Sequence, residues 1–488
     1  MDQTEGPAPE ALMDQLRPGR DQSQDIRAYL TACRPRIIDR LSEWIGIASV
    51  AGVPERRHNL MRSAKWLAAE LRDAGLPTTE IWSADGTPAV FAEWCEAPDA
   101  PTVLIYGHHD VRAVKEENWD ETSPFDPVLR DGRLYGRGSS DAKGQILAHV
   151  WGLRAHLMST GRTVPAVNLR ILVEGEEEAG SPGLAALLEA NRERLQADVV
   201  IFSDTLLWRA DHPALCTSIR GMLGARLEIY GPLTDIHSGA VSGAAPNPAI
   251  ELSRLLGQLH DGKGRITFPG FYDPVREISG RRRSELAALP FDAQDWLDRS
   301  HTRSITGEEG YTVLERLWER PALEVIALAA GDPVGVARAA VPSMASADLS
   351  IRTVEGQKVN EIAGQLRRWV DAAIREPFAY ELSLSLETAQ EFYRTPDHPV
   401  VDALSRAMAK GFGVPEVGRM GNAGGGPASL LSSALEVPVV FFGTGLVEDN
   451  WHDSDESVHT GMLTAGAATI GYLWNELGQY SFGLEAAD

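Results

Sequence analysis

Five stretches of this chain place imidazole or carboxylate side chains where an apolar run ends or a helix is about to begin. The run PTVLIYG (101–107) is followed by His108, His109 and Asp110. VNLRILV (167–173) leads into EGEEEAGS, with Glu176, Glu177 and Glu178 in succession. DVVIFS (198–203) is followed by Asp204, and after VPVVFFG (437–443) the loop GLVEDNWHDSDES delivers His452. LYGRGSSDAKG (134–144) carries Asp141 just ahead of a helical pattern. Each alone has an ordinary explanation. A run of like charges is commonly a solvated face, and an aspartate before a helix commonly caps it. Together, taking one histidine from each of the two loops that carry them, they are two histidines and several carboxylates with no thiolate, a donor set for zinc, manganese or cobalt. The carboxylates outnumber what one tetrahedral zinc uses. Two metals about 3.5 to 4 Å apart, bridged by one carboxylate, would employ them all.

Competing chemistries leave weaker traces. There is no HExxH, no GxSxG nucleophile elbow and no phosphate-binding loop with its Lys-Ser/Thr ending. GRGSS lacks the third glycine of a dinucleotide fingerprint. Gly424, Gly425 and Gly426 make a turn suited to close approach by a ligand, without specifying one.

The elements that must position these residues follow from periodicity. Residues 25–47 and 58–74 have the three- and four-residue spacing of helices, and Gly75 stops the second. From 101 to 203, short apolar runs alternate with helical stretches at 146–158 and 181–195, the pattern of an α/β sheet with parallel strands. The middle differs. Strand-like 224–231 and 345–354 and helical 247–259 and 359–376 precede AYELSLSLE (379–387), which alternates strictly with Leu382, Leu384 and Leu386 on one face. Residues 217–387 are therefore expected to form an inserted α+β domain with a small antiparallel sheet, within which 261–322 resists assignment. A helix at 399–411 and the run at 437–443 resume the first pattern, so 25–216 plus 388–488 should form the other domain. In such sheets ligands bind outside the carboxyl ends of the strands, where the candidate residues stand.

Bulk properties agree. A chain of 488 residues exceeds one ordinary core and implies two domains. With 43% hydrophobic and 24% charged residues it is globular in composition, and no segment approaches the roughly 18 apolar residues of a membrane span. Residues 1–24 lack both a basic start and an apolar stretch and should be a flexible polar tail, not a signal peptide. Three cysteines without a CxxC pair point to a reducing cytoplasm. A formal net charge of −23 argues against nucleic acid or an anionic membrane as partner. An anionic substrate would need a local exception.

The segments GHHDV, LYGRGSSDAKG, EGEEEAGS, SDTLLW, RGMLGARLEIYGPLTDIHSG and WHDSDE resemble, in order and spacing, the M20 family of metallopeptidases, in its carnosinase-like dipeptidase branch. The resemblance runs from about residue 40 to the C-terminus. It implies a mixed-sheet di-metal catalytic domain with an inserted α+β lid and dimerisation domain. His108 and Asp204 would hold one metal and Glu178 and His452 the other, with Asp141 bridging; zinc is the first expectation, manganese and cobalt the alternatives. Asp110 would orient the His108 ring, Glu177 would be the general base, and Glu176 falls on a variable position. A cis peptide is expected after Asp141. In the inserted domain, His237 matches a histidine that reaches the partner subunit's site in a homodimer, and Arg352 an arginine that pairs with the substrate carboxylate, assisted by His398. A serine usual in the glycine-rich loop is replaced here, at about Gly426. The implied activity is hydrolysis of dipeptides or short peptides. The alternatives are an N-acyl-amino-acid deacylase or desuccinylase, or an inactive metal-binding scaffold.

Overall fold

The structure, a computed structural model, describes residues 22–84, 87–331 and 338–480; most of the expected tail lies outside them. Helix α1 (Gln22–Ile45) starts slightly before its expected first residue, and α2 (Arg57–Asp73) runs as its periodicity indicates. The chain then enters a six-stranded sheet. Its first two strands, β1 (Thr78–Ala84) and β2 (Thr87–Trp94), form an antiparallel hairpin that the sequence reading left unassigned. β3 (Thr102–His108), β4 (Asn168–Glu174) and β5 (Val199–Phe202) follow, the first two linked by α3 (Lys143–Thr160). β3 pairs in parallel with both β4 and β5, with His108 opposite Glu174 and Tyr106 opposite Phe202. The expected helix at 181–195 is broken at Asn191 into Leu184–Ala190 and Arg192–Leu195.

A second sheet occupies the middle of the sequence. β6 (Gly221–Tyr230), β7 (Ala322–Ala330), β8 (Met344–Thr353) and β9 (Ala379–Leu384) lie in the order β7-β8-β6-β9, all antiparallel. α4 (Pro248–Leu256) and α5 (Val359–Ala373) cover one face and bury Leu252, Leu255, Ile362 and Leu366 against Leu223, Leu227, Leu349 and Ile351. The alternation in AYELSLSLE is cut short. Leu382 is buried and Leu384 partly so, but the strand ends there and Leu386 is exposed. The segment 261–322 contains three short helices, Gly280–Ala287, Ala293–Arg299 and Val313–Trp318. Leu286, Leu289, Leu314 and Trp318 from this stretch pack with Met420, Phe441 and Trp208, so it is cemented to the first sheet's side of the molecule.

After α6 (Pro399–Phe412), the strand β10 (Val439–Phe441) returns to the first sheet and pairs in parallel with β5, giving the order β1-β2-β4-β3-β5-β10. The C-terminal α7 (Thr460–Leu477) then packs against α3. Their approach is close. A Cβ on Gly152 would lie 2.6 Å from the Ile470 Cβ, so only glycine lets the two axes come this near. α1, α2, α3, α6 and α7 bury one face of the sheet around Trp44, Trp151 and Trp474. Since β3, β4, β5 and β10 all run the same way, the loops that follow them gather at one edge.

Two histidines on α3 are locked away from water. His149 has its pKa pushed down to about 3 and His156 to about 4, each mainly by burial. Below the unfolded value near 6.5, the unfolded chain takes up protons that the folded chain refuses, so this contribution to stability is complete above pH 6.5 and falls as pH drops toward 4. The unfolding free energy should lose about 1.4 kcal/mol per pH unit for each residue in that window. Denaturant titrations between pH 6.5 and 4.5 should show the slope reduced by about one proton in His149→Phe.

Candidate metal centre

Two groups of side chains converge at the gathered strand ends. His108, Asp141 and Asp204 form one, and Asp141, Glu178 and His452 the other; within each, the donor atoms lie within 4.8 Å of one another. Asp141 belongs to both. Its Oδ1 is 3.2 Å from His108 Nε2 and its Oδ2 is 3.0 Å from His452 Nε2. Asp204 Oδ2 stands 3.7 Å from His108 Nε2, and Glu178 Oε2 3.3 Å from His452 Nε2. The capping explanation for Asp141 does not hold: the residue that caps α3 is Ala142, without a side-chain bond. The carboxylate is free to span the two imidazoles, and the Asp141–Ala142 peptide is cis, as expected.

Three buried donor atoms in these groups have no hydrogen-bond partner: His108 Nε2, Glu178 Oε1 and Asp204 Oδ1. Buried polar atoms are rarely left so, and imidazole and carboxylate atoms facing one small space suit a pair of divalent cations. Titration points the same way. Burial opposes charge on His108, yet Asp110, Asp141 and Asp204 together hold its pKa well above the ordinary value. Burial likewise works against the charged form of Asp141, and His108 and His452 outweigh it and keep it ionised. Burial, together with Asp141, pushes Glu178 up to about 8 and raises Asp204. Glu177 is raised well above the carboxylate range by burial; His108 partly offsets this and Asp204 and Glu178 add to it. The protein alone supplies too little positive charge for so many carboxylates, and bound cations would reverse this.

Surrounding residues fix the donors. The buried Asp110 carboxylate lies 3.4 Å from His108 Nδ1 and accepts the backbone N–H groups of Glu177 (3.3 Å) and Glu178 (3.0 Å), tying the β3 and β4 loops together. Glu176 turns away from the cluster. Its Oε1 accepts the Gly183 N–H at 2.6 Å and closes the turn, a structural use that a variable position did not suggest. The buried Glu174, whose pKa burial raises to about 8, accepts from Tyr106 and Ser181 behind that turn.

Two further carboxylates went unnoticed in the sequence. Glu456, fully buried, accepts the N–H groups of Ser140 and Asp141 on Oε1 and of Gly138 on Oε2, each at 3.0 Å, and pairs with Arg137 at 2.7 Å. It stands four residues after His452, so one loop supplies a candidate ligand and also clamps the segment bearing Asp141. Asp449 reinforces the joint by accepting from Ser140 Oγ (2.6 Å), the Leu446 N–H (2.9 Å) and Arg133. Both lie in an acidic loop, VEDNWHDSDE, where composition alone suggests solvent-facing charge.

The expected substrate residues are placed elsewhere. Arg352, paired in register with Met222, has a buried Nη1 without a partner and a charge disfavoured by burial. A Cβ on Gly425 would lie 3.3 Å from that Nη1 and 2.2 Å from Gln390 Oε1, which is also unpartnered. A Cβ on Gly426 would instead strike Phe202 at 2.8 Å, so the glycine facing the arginine is Gly425 and not Gly426. Arg220 holds this loop with Nε and Nη2 on the Ala423 carbonyl at 3.0 and 2.9 Å; burial and the nearby Arg352 bring its pKa down to about 9. His237 is exposed on the two-residue strand Ile236–His237 and is not brought to the cluster within one chain. His398 is not brought there either. Its ring accepts the Val400 N–H at the start of α6 and borders a cleft of about 670 Å³ lined by Arg282, Glu319, Glu355 and Arg394, none of them a candidate ligand.

The chain is similar to known proteins over most of its length. The sequence model of peptidase family M20/M25/M40 matches residues 104–476. A cysteinylglycine-S-conjugate dipeptidase from Corynebacterium striatum is 29% identical over 438 residues, 88% of this chain and 92% of that protein. The beta-Ala-His dipeptidase of Rattus norvegicus is 26% identical, covering 93% of this chain and 95% of its own length. Among solved structures, human carnosine dipeptidase 1 superposes with a TM-score of 0.83 at 26% identity, over 95% of this chain and all of its own. An M20 family metallo-carboxypeptidase from Sulfolobus solfataricus does so with a TM-score of 0.80 at 26% identity, over 90% of this chain and 99% of its own.

Glu456 offers a direct test of how the centre is held. Glu456→Gln replaces an acceptor with an amide that cannot accept all of its backbone partners, and loss of such outer support costs about 10- to 100-fold in metal affinity. Metal content after dialysis against a graded chelator should fall accordingly, with Glu456→Asp intermediate. Unchanged retention would show that the clamp is dispensable.

Proposed function

The chain belongs to peptidase family M20/M25/M40, and from that premise we propose that it hydrolyses the amide bond of dipeptides and short peptides at a two-metal centre. The observation that carries the reading is the Asp141 carboxylate set between His108 and His452, each with a second carboxylate beside it. His108 and Asp204 would hold one cation and Glu178 and His452 the other, with Asp141 shared. Zinc suits the nitrogen and oxygen donors, as do manganese and cobalt. When bound, the cations acidify a water molecule and polarise the scissile carbonyl.

The chain's own groups do the rest. Glu177, whose charge couples to His108, Asp204 and Glu178, takes the proton from the attacking water and returns it to the leaving amine. Asp110 keeps His108 in orientation. Arg352, with its unpartnered Nη1 beside Gly425, would take the substrate's terminal carboxylate. The dipeptidases among the relatives support a dipeptide substrate.

Residues 217–387 would serve as a lid and dimerisation unit inserted into a metal-binding unit of 25–216 and 388–488, with part of 280–318 bridging the two. β7 is an outer strand of its sheet, and Ile326 and Leu328 on it are 67% and 60% exposed. Such a strand invites pairing with another chain. A second copy joined there would make a homodimer, in which the exposed His237 could reach the partner subunit's centre and stabilise the oxyanion. All three cysteines are free, and no helix among the described residues is long and apolar enough to cross a membrane. The free cysteines suit the reducing cytoplasm.

The decisive assay uses a dipeptide panel against N-acyl amino acids. Hydrolysis should vanish with chelation and return with zinc, manganese or cobalt. Glu177→Gln should lower kcat at least about 100-fold while retaining bound metal. Mixed with His237→Ala chains, it should recover about a quarter of wild-type activity, as expected when half the dimers are hybrid and each has one complete site. Full activity in Glu177→Gln would refute the assignment, and absence of recovery would confine His237 to its own chain.

A further inference from the structure

One charged side chain outside the candidate ligands and their supports touches the centre from its open side. Arg112 lies just beyond β3, where its Nη1 donates to the Glu178 carbonyl at 2.6 Å and stands 3.4 Å from Glu178 Oε2. The side chain is nevertheless 49% exposed. A guanidinium carries five N–H donors in a rigid fork. Among the described residues, the only polar contacts Arg112 makes run from Nη1 to Glu178, so Nε and Nη2 remain open to solvent at the rim. Its charge also reaches His452, the other candidate ligand on this flank.

The two arginines with unsatisfied donors have different neighbours. Arg352 lies against Gly425 of the glycine-rich loop, whose next residue, Gly426, packs on Phe202, two residues before Asp204. Arg112 stands beside the pair Glu178 and His452. On the hydrolase reading, an amide substrate whose terminal carboxylate is taken by Arg352 and whose carbonyl faces the metals would run its acyl half toward Glu178 and His452. There it meets a half-exposed guanidinium with donors to spare. In a chain of net charge −23, which repels anions at long range, such a group is a marked local exception.

We propose that Arg112 determines specificity by selecting substrates with a carboxylate on the acyl half: an acidic first residue or a dicarboxylic acyl group. The inference rests on the two-metal amide hydrolase reading above and narrows its substrate. The fork of Arg112 binds the carboxylate through Nε and Nη2 while Nη1 stays on Glu178.

The test compares isosteric pairs on the metal-loaded, full-length protein: Glu-Ala against Gln-Ala, and N-succinyl-alanine against N-butyryl-alanine. The readout is the acidic-to-neutral ratio of kcat/KM in wild type, Arg112→Gln and Arg112→Lys. A wild-type ratio above one in at least one pair is expected, together with a fall of about tenfold in Arg112→Gln, carried by KM, and an intermediate ratio in Arg112→Lys, which keeps the charge and loses the fork. The pair that responds identifies the source of the carboxylate. A wild-type ratio at or below one in both pairs, or a ratio unchanged in Arg112→Gln, overturns the proposal and reduces Arg112 to a neutraliser of Glu178. Absence of hydrolysis of any dipeptide or N-acyl amino acid would overturn the hydrolase reading itself.

Discussion

The architecture turns on one carboxylate held between two imidazoles. Asp141 is buried, and its two oxygens face His108 and His452 at 3.2 and 3.0 Å. Burying a carboxylate is costly unless charge and hydrogen bonds compensate it. The surroundings can be understood as that compensation. Strand β3 brings His108, the loop after β10 brings His452, and Glu456 grips the Ser140 and Asp141 N–H groups from the far end of the same loop. Gln145, one turn into α3, accepts the N–H groups of Thr205 and Thr444 and so links the loops after β5 and β10. Residues more than 300 positions apart are thus positioned by one set of contacts.

This dependence explains why the parallel part of the sheet matters more than its antiparallel edge. β3, β4, β5 and β10 must run in the same direction for their following loops to meet, and the helices α3 and α7 must pack closely behind them. The hairpin β1-β2 widens the sheet without adding a donor. The second sheet makes a different contribution: Arg352 on β8 reaches the glycine-rich loop, and β7 forms an exposed outer strand.

Much of this was legible in the sequence because the signals are local. A short apolar run followed by His108 or Asp204 marks a buried strand and its end, and five such loops converge on one chemistry. What escaped depended on distant partners. Glu456 and Asp449 look like surface charge until their partners, the Asp141 N–H 315 residues before Glu456 and the Ser140 hydroxyl 309 residues before Asp449, are folded against them. Glu176 looked like a bystander, yet its carboxylate closes the turn at Gly183. The capping of α6 by His398, which accepts the Val400 N–H, also went unread. The strand β7 was hidden because ALEVIALAA suits a helix as well as a strand, and tertiary pairing with β8 decides between them. At Gly425 and Gly426, sequence spacing could not tell which glycine faces the arginine; only the direction of the missing Cβ does.

The central claim is that Asp141 is shared by two metal ions. Metal titration of the apo protein by calorimetry, with the bound ions counted by elemental analysis, addresses it directly in wild type and Asp141→Asn. Two equivalents per wild-type chain are expected, with both sites weakened together in the variant, since each group loses the same anionic ligand. A single equivalent in wild type would contradict a shared carboxylate, as would a variant that keeps one site at full affinity.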